Sequence, residues 1–145
     1  MKKIVLNFSL IVFLFGGMYL LGHKVLYPID NSKDIKYFSS KYDVDPYLVA
    51  SIVDTDFGLS TESFKELAKE MNIENFTVED INKPSFRIES VAYLLSKYKS
   101  TSNIEDSLNE IVNIDSSLNN NKTKMYPLTI LRNKSWYKLF HYELN

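Results

Sequence analysis

The first 26 residues are patterned differently from the rest of the chain. After Met1-Lys2-Lys3 comes IVLNFSLIVFLFGGMYLLG, Ile4 to Gly22, about 19 residues without a charge. That length matches a hydrocarbon core of ~30 Å. Beyond it the apolar residues become periodic. In SKDIKYFSSKY, Ile35, Phe38 and Tyr42 recur at spacings of three and four, and Ser32 is placed to cap that helix. Asp45-Pro46 opens the next one, since the acid caps free amides and proline fits the first helical position. Val49, Ile52 and Val53 form its stripe. Asp56 extends that stripe, and Asp54 falls on another face.

The pattern continues to the end. Ser60 or Thr61 caps TESFKELAKEM, whose buried side is Phe64, Leu67, Ala68 and Met71, with Asn72 as terminator. NFTVEDINKP reads as a connector with Thr77 as a cap. Pro84 opens SFRIESVAYLLSKY, with Ile88, Val91, Ala92, Leu95 and Tyr98 inward. A further helix starts at about Asn103. Ser116 to Lys124 is polar and reads as a loop, and TILRNKSWYKLFHY as a final aromatic-rich helix. No strand alternation competes with these periods. The expected fold is all-α: a small helical bundle behind an N-terminal transmembrane helix. The expected division is residues 1–26 as anchor and residues 27–145 as one domain.

Composition narrows the chemistry. The chain has 145 residues and a formal net charge of −1, which argues against a nucleic-acid partner. It has no cysteine, which removes disulfides, thiolate metal sites and a cysteine nucleophile. His23 and His141 lie near opposite ends and share no ligand spacing, so no metal or cofactor is expected. Lys2 and Lys3 favour a cytoplasmic amino terminus. The exit MYLLGHK lacks the small-x-small signature of cleavage, so the segment reads as an uncleaved signal anchor with the remaining domain outside.

YPID…KYFSSKYDVDPYLVASIVDTDFG resembles the opening of the lytic transglycosylase family, the goose-lysozyme-like SLT domain. INKPSFRIESVAYLLSKY is similar to a later segment of that family, with Pro84, Ile88, Ala92, Tyr93 and Leu95 in frame. The resemblance runs from Tyr27 to about Tyr98. It implies a fold around a long glycan-binding groove and a single catalytic glutamate. That glutamate would protonate a glycosidic oxygen of peptidoglycan and promote closure to a 1,6-anhydro product. Such an acid needs apolar surroundings and exact reach. Asp56 stands at the glutamate's position, one methylene shorter, and a displacement of roughly 1 Å can cost ~10²-fold in rate. The glycine-rich loop, its glutamine and the tyrosine–asparagine pair of the family are not recognisable.

Three expectations follow. The first is a degenerate, membrane-anchored pseudoenzyme at the cell envelope that binds peptidoglycan glycan strands or an envelope protein. The second is an active transglycosylase with Asp56 as general acid/base. The third is a protein-interaction module that kept only the fold. Of the other acids, Asp54 reads as solvated, Glu62 as a first-turn helix acid, and Glu79-Asp80 and Glu105-Asp106 as helix starts. Trp136, Tyr137 and Phe140 fit core packing better than stacking on sugar rings.

Overall fold

The structure is a computed structural model and describes residues 2–55, 59–99, 103–114 and 126–144. Helix α1 spans Lys2–Leu21 and runs on through a wider π-type turn, Gly22–Leu26. It is apolar and largely bare: Phe8, Ile11, Phe13, Phe15 and Met18 are all exposed. A helix buried in a soluble core would not leave that surface in water. The stretch Phe8–Leu26 is long and apolar enough to cross a membrane. The helical run stops at Tyr27, whose N–H bonds back to the Gly22 carbonyl at 3.0 Å, directly before Pro28.

Six further α-helices follow among the described residues, with no strand: α2 (Ser32–Tyr42), α3 (Pro46–Asp54), α4 (Thr61–Glu70), α5 (Pro84–Lys97), α6 (Ile104–Asn113) and α7 (Tyr126–Phe140). The all-α expectation holds. The short helix α3 is the hub and packs against α7, α5 and α2. Its residues Tyr47 to Ile52 are all buried. They join Ile35, Phe64, Leu67, Phe86, Ile88, Val91, Leu108, Ile111, Ile130 and Tyr137 in one core. Each fully buried aliphatic side chain of this kind is worth ~1.5–3 kcal/mol.

Local signals in the sequence place the helix ends. Asp45 Oδ1 accepts from the Tyr47 and Leu48 amides at 2.9 and 3.4 Å, starting α3. Ser60, not Thr61, caps α4 by accepting from the Ser63 amide at 3.2 Å. Asn72 stops α4 as expected. It takes the left-handed φ of 55°, and the bonds Asn72 N–H to Lys69 O and Ile73 N–H to Ala68 O close the end. The Thr77 amide and hydroxyl both donate to Asp80, which opens a short 3₁₀ turn, Val78–Asn82, within the connector. Asn103 caps α6 through the Glu105 amide.

Two boundaries differ from the expectation. Ser32 is not the cap of α2. The Ile35 amide already bonds to the Asn31 carbonyl at 3.0 Å, so the ladder begins one residue earlier and Asn31 holds the cap position. Helix α7 starts at Tyr126, with Pro127 in its first turn, where its missing N–H costs nothing. It ends at Phe140, and Tyr142–Leu144 turn separately. The polar loop expected at Ser116 to Lys124 lies outside the described residues.

Candidate functional site

The carboxyl end of α3 opens into a groove of about 270 Å³. One wall is the segment between the N-terminal helical run and α2: Pro28, Ile29, Asp30 and Asn31. The opposite wall is Val53 and Asp54 of α3, and Tyr137 of α7 reaches in from the side. The apolar stripe of α3 brings Val53 here because Ile52 and Val49 on the same side are locked in the core. Lys134 of α7 pairs with Asp45 Oδ2 at 2.7 Å, and this tie aligns α7 along α3.

Tyr137 is 1 % exposed. Burial pushes its hydroxyl well above the ordinary tyrosine range. The Asp54 charge and its hydrogen bond from the hydroxyl add to that shift. The phenol is therefore a fixed, neutral donor that orients Asp54. Asp54 itself is exposed, as expected, but it lines the groove instead of pointing into open solvent. Sequence spacing concealed this, because the groove's other wall comes from α7 and from residues 28–31.

Asp56 lies outside the described residues. The helix that was expected to carry it ends at Asp54, where Thr55 caps it through Ile52 O. Glu62 sits exposed in the first turn of α4, where the helix dipole favours it. Glu79-Asp80 and Glu105-Asp106 stand at helix starts. Asp80 is held down to about 2 by the Lys83 ammonium and the Thr77 donors.

The aromatic trio divides. Tyr137 and Phe140 are buried, which agrees with core packing. Trp136 is 41 % exposed. It stacks on Tyr27 and Phe140 at centroid distances of 6.1 and 5.9 Å. Tyr27 precedes the groove residue Pro28, so an open indole lies beside one end of the groove. Tyr93 is half-buried and donates to Glu70 at 3.3 Å.

A second hollow, about 450 Å³, lies between Asp43–Leu48 and the start of α6. Its polar groups are already engaged. Asp43 pairs with Lys99, Asp45 caps α3, and Asn103 caps α6. That leaves the groove at the end of α3 as the better ligand site.

The two histidines, distant in sequence, meet. Their ring centroids are 4.2 Å apart, and both reach Glu143. The sequence reading found no metal-ligand spacing because the three residues come from the π-type turn after α1 and from the far end of the sequence. Their proximity exists only in the tertiary structure. Comparison with models of known protein families, with curated proteins and with solved structures yields no match.

Proposed function

We propose that the chain is a membrane-anchored module of the cell envelope whose outer domain holds peptidoglycan glycan without turning it over. The observation that carries this reading is the groove at the end of α3. It combines a carboxylate, Asp54, with polar Asp30 and Asn31, apolar Ile29 and Val53 on its two walls, and an exposed indole, Trp136, near its end. Sugar rings offer hydroxyls to carboxylates and amides, and apolar C–H faces to aromatic rings. The site has both kinds of partner.

The resemblance to the transglycosylase SLT domain supports the same assignment, because it expects a glycan groove at this end of this helix. Binding is favoured over turnover because Asp56 is one methylene shorter than the family's glutamate and the family's glycine-rich loop, glutamine and tyrosine–asparagine pair are not recognisable in the sequence. The bare α1 supports an anchor in the membrane, and Lys2 and Lys3 support an extracytoplasmic domain.

The test uses the full chain in detergent micelles, mixed with insoluble peptidoglycan and sedimented. Wild type is expected in the pellet, and Asp54→Asn and Trp136→Ala are each expected to reduce its share severalfold. No pelleting, or pelleting unchanged by both variants, overturns the reading in favour of a protein-binding module. Mass spectrometry of the same mixtures looks for 1,6-anhydromuramyl ends. Such ends made by wild type and absent with Asp56→Asn would replace binding with catalysis.

A further inference from the structure

We infer that His23, His141 and Glu143 form a site for a divalent transition-metal ion, zinc by its donor set, that clips the anchor helix to the domain. The argument begins with the proton on His141. Its Nε2 lies 2.5 Å from the Tyr27 carbonyl oxygen. A carbonyl only accepts, so Nε2 carries hydrogen. In a neutral imidazole the other nitrogen, Nδ1, is then a bare lone pair. Nδ1 lies 2.7 Å from Glu143 Oε1, which also only accepts when ionised. Two acceptors in contact, on a ring 1 % exposed, require a cation between them.

A second imidazole converges on the same oxygen. His23 Nε2 is 3.3 Å from Glu143 Oε1. One ligand atom from each of the three residues falls within 4.8 Å of the others. A metal ion in place of the hydrogens would take one lone pair from each of the three residues. Tetrahedral zinc bonds of about 2.0–2.1 Å place neighbouring donors ~3.3 Å apart. The His23–Glu143 spacing already has that value, the His141–Glu143 spacing opens by about half an ångström, and the two imidazole donors, which lie within 4.8 Å of each other, draw together around the ion. Two imidazole nitrogens and one carboxylate suit zinc, cobalt, nickel or copper and disfavour calcium and magnesium, which take oxygen ligands.

The supports of the site are built as well. The Tyr27 carbonyl orients His141 in the manner of a partner behind a metal ligand. Lys36 Nζ donates to the Glu143 carbonyl at 2.8 Å, holding the turn that carries this acid. Tyr19, one turn before His23 on the anchor, donates its hydroxyl to the Phe140 carbonyl at 3.2 Å and packs near the His23 ring. Both halves of the site are therefore held near each other before any ion arrives. One half belongs to the anchor and the other to the chain's end. Binding would set the orientation of the domain above the membrane.

The experiment uses the full chain without a histidine tag, in detergent micelles, stripped with a chelator and then dialysed against zinc or cobalt. Elemental mass spectrometry gives ions per chain, and the visible bands of cobalt report its coordination. The expected result is one ion per chain with four-coordinate cobalt bands, a raised melting temperature, and no uptake of calcium or magnesium. His23→Gln and Glu143→Gln, whose side chains are partly exposed, should keep the fold and weaken uptake by more than about tenfold. No retained zinc or cobalt overturns the proposal and leaves His141 and Glu143 joined by a hydrogen bond alone. Uptake unchanged in both variants also overturns it, by placing the ion elsewhere.

Discussion

Gly22 and Phe140 meet so closely that a side chain at Gly22 has no room. A Cβ built there would fall 2.1 Å from the Phe140 ring. The glycine lets the N-terminal helix lie against the end of α7, where Tyr19 also bonds to the Phe140 carbonyl. Gly22→Ala must displace the ring, and overpacking of this kind costs about 1–3 kcal/mol. Thermal unfolding of the full chain in micelles should show a lowered midpoint. Phe140→Leu in the same chain should restore part of the loss, because it removes the ring that the methyl strikes.

Asp45 holds two elements with two oxygens. Oδ1 caps α3, and Oδ2 pairs with Lys134 on α7. Asp45→Ala should cost about 1 kcal/mol for the cap. The half-exposed ion pair adds at most ~1 kcal/mol. Asp45→Asn keeps a capping oxygen and loses only the pair, so its loss should be the smaller one. Urea denaturation of the two variants separates the contributions, and equal losses would refute this division.

Stability should fall on the alkaline side because of Tyr137. Its folded-state pKa is raised above the ordinary value of 10.0, first by burial and then by the Asp54 charge and hydrogen bond. Between those two values the unfolded chain has released the proton and the folded chain has not. Stability is therefore full below about pH 10 and declines as pH rises above it, by about 1.4 kcal/mol per unit from this group. Tyr137→Phe removes this part of the slope, at ~0.5–1.5 kcal/mol for the lost hydrogen bond at neutral pH. Denaturation midpoints across the alkaline range, compared with wild type, check both halves.

Ser90 of α5 is 1 % exposed, and its hydroxyl has no partner among the described residues. An unmade buried hydrogen bond is a standing cost of about 1–3 kcal/mol. Ser90→Ala should therefore be neutral or stabilising, in contrast to Ile88→Ala two residues earlier. Ile88 is fully buried, and its truncation should cost about 2–5 kcal/mol. Denaturant titration of the pair gives opposite or near-opposite signs if this account holds.

Much of the fold was legible locally. Asp45-Pro46, Ser60, Asn72, Thr77, Pro84 and Asn103 mark helix ends through bonds spanning only a few residues. The stripes of α3 and α5 point inward at the expected spacings, because a helix fixes the direction of each side chain relative to its neighbours. The unbroken apolar run of α1 needs no partner helix to be recognised.

The candidate sites were not legible in that way. Asp54 became a groove residue only when α7 brought Tyr137 to it. Trp136 and Tyr137 share a helix yet face opposite environments, because packing against α3 decides which is covered. His23, His141 and Glu143 share no sequence spacing at all. Sequence patterns encode what a residue does to its own helix. Which helices pass close enough for their side chains to meet depends on how the hub helix α3 is surrounded and on how closely Gly22 lets the N-terminal helix approach, and the tertiary structure alone decided that.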